Sequence, residues 1–212
     1  MRFCRANIMP THSYQDMIRE LADADHAMII AYLDEKLPIL WRVDYLAMPG
    51  ASSNLVTISF GDEARVMSFC RYLFDHGSTE QTPVQHSVGT TAEDRVAAVW
   101  GTSRKTDGRT RDIARMRGFP KGTSSAGYDR GHFFAHTMGG GLDINLFPQA
   151  ARVNRSGLWR RMENYCAANP GTFCFVRPIY ADTSWRPAQV EYGVIKMEPE
   201  KAPKFWGHTF DN

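Results

Sequence analysis

The chain is 212 residues long, with 43% hydrophobic, 23% charged and 12% aromatic residues, which excludes a disordered, collagenous or coiled-coil protein and suits one ordinary domain or two small ones. Lys and Arg number 25 against 23 Asp and Glu, a formal net charge of +2, so the whole chain lacks the strong basic excess typical of nucleic-acid binders. No run approaches the roughly 18 apolar residues that span a bilayer; the longest, such as Ala27 to Leu33, are short and flanked by acids, and no membrane partner is expected.

Met1 to Asn7 lack the apolar segment and small-residue cleavage site of a secretory signal. The expected location is cytoplasmic as synthesised, or secreted without a cleavable signal peptide. Thr11 and Ser13 offer N-caps for a helix whose inner face carries Met17, Ile18, Leu21, Met28, Ile29, Tyr32 and Leu33, and which ends ahead of Pro38. Two strands, Ile39 to Met48 and Leu55 to Phe60, follow around a Pro49 to Asn54 turn. Asp62 to His76 reads as a helix with Val66, Phe69, Cys70 and Leu73 inward, and Gly77 to Ala92 as a polar loop. Cys4, Cys70, Cys166 and Cys174 form no Cys-x-x-Cys pair and read as reduced core thiols; Cys166 and Cys174 are the nearest pair should a bridge form.

Charge divides unevenly about that loop. Residues 1–90 hold seven Lys/Arg against eleven Asp/Glu, a net of −4, which leaves +6 for the remainder. The excess concentrates in Arg104, Lys105, Arg109, Arg111, Arg115, Arg117, Lys121 and Arg130, opposed only by Asp107, Asp112 and Asp129. Such a run is either a solvated loop or a phosphate-binding surface.

Downstream stand Tyr128-Asp129-Arg130-Gly131-His132, the glycines Gly139, Gly140 and Gly141, and Asn145-Leu146-Phe147-Pro148-Gln149. Three glycines between short apolar runs predict a hairpin-like connection, with one strand carrying His132 and the next carrying Asn145. A helix follows from about Gly157 to Ala168, with Ser156 as a cap and Leu158, Met162, Tyr165 and Cys166 at buried spacing. The local order is strand, strand, helix.

Asp129-Arg130-Gly131-His132, Asn145 to Gln149, Asn154, and Trp159 with Glu163 resemble the signature of the DNA/RNA non-specific endonucleases of the ββα-metal superfamily. The glycine turn with Asp143 shortly before Asn145 looks most like the branch found in bacterial toxins. The resemblance implies an α+β fold: a ββα-metal core with antiparallel sheet and flanking helices over 91–212, beside an acidic N-terminal α+β portion, 1–90. It implies that Asn154 is the direct ligand of a divalent cation, with Glu163 holding the cation's waters. Arg130 would contact phosphate, Asp129 would fix local geometry, and Asn145 with Gln149 would support the hairpin. One feature departs from the family pattern: Asn154 and Trp159 stand one residue further apart. Nine positions from Asn154 to Glu163 would put them on opposite faces of a continuous helix, so the helix must begin after Asn154, near Ser156-Gly157.

The residue types fit phosphodiester hydrolysis. His132 can take a proton from water because imidazole titrates near neutral pH. Mg²⁺, with Mn²⁺ or another divalent cation as a substitute, needs few protein ligands, so one amide oxygen suffices. Each role has a plainer competitor: a structural His132, a capping Asn154, a Glu163 paired with a surface arginine. His136 falls on the same strand face as His132 if that strand continues. The function expected is a metal-dependent endonuclease of DNA and RNA, with Arg104, Lys105, Arg109, Arg111 and Arg130 on the nucleic acid. The alternatives are a non-catalytic nucleic-acid-binding module or an interaction protein that keeps the fold. The acidic part would then dock a delivery apparatus, an inhibitor or immunity protein, or the basic half itself.

Overall fold

The computed structural model of the chain describes residues 13–21, 23–61, 68–76, 95–106, 126–141, 144–155, 157–198 and 201–212. Ser13 caps a short helix, α1 (Tyr14–Arg19), and Asp25 caps α2 (His26–Leu46), where its carboxylate accepts from Met28 N at 2.8 Å. The helix expected to stop before Pro38 instead continues through it, and the strand expected from Ile39 is absent. A proline inside a helix costs about 3 kcal/mol. Ile29, Leu33, Leu37, Trp41 and Tyr45, each four residues apart, are all buried, and at about 2 kcal/mol each their burial outweighs that cost. Ile39 and Val43, the β-branched residues that suggested a strand, lie on the exposed face.

β1 (Leu55–Gly61) forms as expected, but β2 (Ser68–Asp75) stands where a helix was read. The buried positions there have period two: Cys70, Tyr72 and Phe74 enter one interior and Leu73 the other. β3 (Arg95–Thr102), β6 (Phe173–Ile179), β7 (Gln189–Lys196) and β8 (Lys204–Asp211) complete a six-stranded antiparallel sheet in the order β1-β2-β3-β6-β7-β8. β4 (Tyr128–His132) and β5 (Leu146–Ala150) make a second, two-stranded antiparallel sheet, followed by α3 (Ala151–Asn154) and α4 (Gly157–Ala168). The architecture is α+β.

The large sheet separates two interiors. Against one face α1 and α2 pack Tyr14, Ile18, Leu33, Trp41 and Tyr45 onto Trp100, Phe173 and Phe175. Against the other, Phe133, Phe147, Trp159 and Met162 of the β4–β5–α4 unit meet Tyr72, Val176, Tyr192 and Phe210. A bulge in β3 sets the phase: Leu73 pairs with Ala98 and Phe74 with Val96, leaving Ala97 extra. Val96 and Val99 thus face one interior while Ala97, Ala98 and Trp100 face the other.

The expected boundary at residue 90 lies in the segment 77–94, outside the described residues, as does the polar loop expected there. The strands on either side of it, β2 and β3, pair directly. Two buried polar networks also cross it. Arg177 on β6 binds Glu191 through Nε at 2.7 Å and Asp44 on α2 through a guanidinium nitrogen, and Tyr14 donates to Glu191 at 3.0 Å. Arg95 on β3 donates to Tyr45 at 3.1 Å, to Pro49 O at 2.9 Å and to Asp182 O at 3.0 Å, while Tyr45 donates to Asp75 at 2.9 Å. Cys70, Cys166 and Cys174 are buried thiols without a disulfide, and burial pushes the Cys70 thiol up to about 12. Cys4 lies outside the described residues. No helix among the described residues is long and apolar enough to cross a membrane.

Candidate active site

The site is built on the β4–β5 pair, in which Asp129 stands opposite Gln149 and His132 opposite Leu146. His132 is the last residue of β4 and is 9% exposed. Beyond it Phe133 stacks on Phe147 with ring centroids 4.3 Å apart, holding the end of the strand against the core. The chain then turns through a 3-10 segment, His136–Met138, so His136 does not share a strand face with His132. Its Nδ1 lies 3.4 Å from Gly140 O instead.

Asn145 governs this connection. Its Oδ1 accepts from Phe134 N at 2.9 Å, and its Nδ2 donates to Phe134 O at 2.6 Å and to Gly141 O at 3.0 Å. The side chain is fully buried and acts on backbone alone. The glycines have separate tasks: Gly139 adopts φ +100°, and a Cβ on Gly140 would sit 1.8 Å from Phe134 O. On β4, a Cβ at Gly131 would meet Gln149 Oε1 at 2.2 Å, so only glycine leaves room for the Gln149 side chain. That side chain is fully buried and its amide meets no hydrogen-bond partner among the described residues.

β5 passes directly into α3, whose last residue is Asn154. Gly157, at φ +76°, then starts α4 in a new direction, so the helix breaks between Asn154 and Trp159 as the spacing requires. Ser156, the expected cap, lies outside the described residues. Asn154 Nδ2 donates to Asp129 Oδ2 at 3.1 Å, while Arg155 grips the same carboxylate with Nε at 2.8 Å and a terminal nitrogen at 2.6 Å. The Arg155 hydrogen bonds chiefly, with the Asn154 amide adding to them, hold the Asp129 carboxyl below the usual carboxylate range.

Glu163 is buried on α4; Trp159 Nε1 donates to its Oε1 at 3.0 Å and Arg160 pairs with its Oε2 at 2.7 Å. The pairing with a surface arginine is therefore present, with Arg160 about half exposed. Arg130 is exposed on β4. Arg104 and Lys105 are exposed after β3, and Arg104 N donates to Met138 O at 3.1 Å, which brings this basic pair beside the turn that follows His132. Arg109 and Arg111 lie outside the described residues. The structure thus gathers Asp129, Asn154 and Arg155 in one cluster and puts His132 at the end of the same strand as Asp129. Arg155 is the member that sequence reasoning missed; its one signal was its place in the stretch that is a residue longer than the family pattern.

β4, β5 and α4 form a strand, strand, helix unit that carries His132 at the end of β4, Asn154 at the end of α3 and Glu163 on α4, within a stretch that marks the chain as a nuclease, a hydrolase acting on nucleic acids. Residues 92–196 match the model of the DNA/RNA non-specific endonuclease family, and the chain carries a DNA/RNA non-specific endonuclease domain. Among solved structures, the EndoG/EndoGI complex, a study of EndoG inhibition, aligns with 15% identity and a TM-score of 0.44 over 73% of this chain and 76% of that one. An extracellular endonuclease aligns with 15% identity and a TM-score of 0.36 over 74% and 81%. No curated protein matches the chain.

Proposed function

We propose that this nuclease is a divalent-cation-dependent endonuclease that hydrolyses phosphodiester bonds of DNA and RNA with little base specificity, His132 serving as general base. The observation that carries the reading is the join between the two halves of the unit. The strand that ends in His132 also bears Asp129, which is hydrogen-bonded to the Asn154 amide.

The donor set suits a hard cation such as Mg²⁺ or Mn²⁺. Among the described residues no three His, Cys, Asp or Glu side chains form a cluster able to hold a metal ion, so a zinc-type cage is not the chemistry on offer there. An amide oxygen of Asn154 is a ligand type such cations accept while keeping their waters, and the buried Glu163 would hold the site from α4. When bound, the cation neutralises the charge that develops on phosphorus and the leaving oxygen. His132 accepts the proton of the attacking water, and its fixed place at the strand end aligns that proton transfer. Arg130 holds the phosphate, with Arg104 and Lys105 extending the electrostatic track. Contacts of this kind read backbone rather than base edges, which accounts for the lack of base specificity.

The acidic N-terminal part serves in this reading as structure, partnering the basic half itself, because Asp44 pairs with Arg177 and Asp34 accepts from Trp100 Nε1 at 2.8 Å. The biological setting we assign is that of an antibacterial effector, on the strength of the toxin-like glycine turn. Incubating the full chain with plasmid and with RNA, in Mg²⁺ or in EDTA, tests the reaction. His132→Ala is expected to lower turnover by about 10²- to 10⁴-fold, and full activity in EDTA or in that variant would overturn the reading.

A further inference from the structure

The Asp129 carboxylate receives three hydrogen bonds from two consecutive residues, two from Arg155 and one from the Asn154 amide. An amide has two different arms, and an ionised carboxylate only accepts, so the –NH₂ arm must face it and the carbonyl arm must turn the other way. The two-pronged guanidinium grip fixes the plane of the carboxylate, and thereby the orientation of its neighbour.

We propose that Arg155 is a positioning residue for the cation: by clamping Asp129 it turns the Asn154 amide so that Oδ1, not Nδ2, is presented as ligand. The inference rests on the reading of Asn154 as the cation's ligand. Arg155 sits in the stretch that is one residue longer than the family pattern. The Arg155 side chain is 71% exposed, and exposed pairs of this kind contribute little to stability. Its effect should therefore show in metal binding and not in folding.

The test measures Mn²⁺ affinity of the full chain without substrate, by the electron paramagnetic resonance signal of unbound Mn²⁺, for wild type, Arg155→Ala, Arg155→Lys, Asp129→Asn and Asn154→Ala. Thermal midpoints are recorded for each. Arg155→Ala is expected to weaken Mn²⁺ binding about ten-fold or more at an unchanged midpoint, with Arg155→Lys recovering part of the loss. In an Asp129→Asn background the Arg155→Ala change should have no further effect, since the clamp's target is gone. Wild-type affinity in Arg155→Ala, alongside lost binding in Asn154→Ala, overturns the proposal and leaves the ligand assignment standing. Wild-type affinity in Asn154→Ala overturns the assignment itself. Should Arg155→Ala lower the midpoint, Arg155→Lys becomes the deciding variant, and full wild-type affinity there, where a two-pronged grip is impossible, counts against the clamp.

Discussion

Asp44, in the middle of the acidic part of the chain, pairs with Arg177 of the basic part inside the protein, where the Arg177 side chain is 4% exposed. Arg177 is held at the same time by Glu191, at 2.7 Å. Replacing it with Ala would leave two carboxylates facing each other in the interior, and removing one partner of a buried ion pair costs about 3–5 kcal/mol. Urea unfolding of Arg177→Ala is expected to show a loss of that order, with the slope of the transition unchanged.

Truncation to residues 91–212 should abolish the fold and not merely an adaptor. It would strip β2 from β3 and uncover Trp100, Phe173 and Phe175, which α1 and α2 now bury. The truncated chain is expected to lack a cooperative thermal transition and nuclease activity; a soluble fragment with wild-type turnover would contradict this.

Asn145→Ala removes the side chain that bridges Phe134 and Gly141. Buried backbone groups left unpaired cost about 1–3 kcal/mol each, so thermal stability should drop. Turnover should fall more than substrate affinity, because the loosened turn lies next to His132. Asn145→Asp should be no better, since a carboxylate would face two carbonyl oxygens.

Burial raises the phenols of Tyr14, Tyr45 and Tyr180 well above their ordinary value of 10.0. A raised pKa in the folded state means that full stability is present below about pH 10 and is lost as pH rises towards the folded values, at about 1.4 kcal/mol per pH unit for each phenol. Alkaline unfolding should therefore be steep. Tyrosinate absorbance from these residues is expected to appear together with loss of circular dichroism, not ahead of it.

Co-expression in a bacterial host tests the effector setting. Wild type should be toxic and His132→Ala harmless; equal harmlessness of the two would count against that role.

The local architecture of the candidate site was legible from residue identity, because Asp129 to His132, Asn145 to Gln149 and Asn154 to Glu163 are close in sequence and their spacing fixes a strand, a strand and a helix. Even the helix break could be read, from nine positions that a continuous helix would split between two faces. The N-terminal fold was harder. Ile39 and Val43 look like strand residues, yet they lie exposed on a helix whose inner face is written by Leu37, Trp41 and Tyr45. Around Cys70 and Leu73 a helix-like spacing coincided with strand burial on both sides of the sheet, which no single periodicity describes. Arg155 escaped because its partner, Asp129, is 26 residues away.

The extra residue at Ala97 has a bearing on how this sequence can vary. Side chains of β3 alternate between the helical interior and the nuclease interior, and past the bulge the order of alternation is reset. Deleting Ala97 would leave Val96, Ala98, Val99 and Trp100 in strict alternation on the sides they already occupy, whereas deleting a residue elsewhere in β3 would turn the residues on one side of the cut to the opposite interior. Away from the bulge, insertions and deletions in β3 are therefore not local changes, because a single step exchanges the contents of two hydrophobic interiors. Variation in length should be confined to the connections and to the bulge itself, while the regular parts of the strands shared by both interiors keep a fixed count.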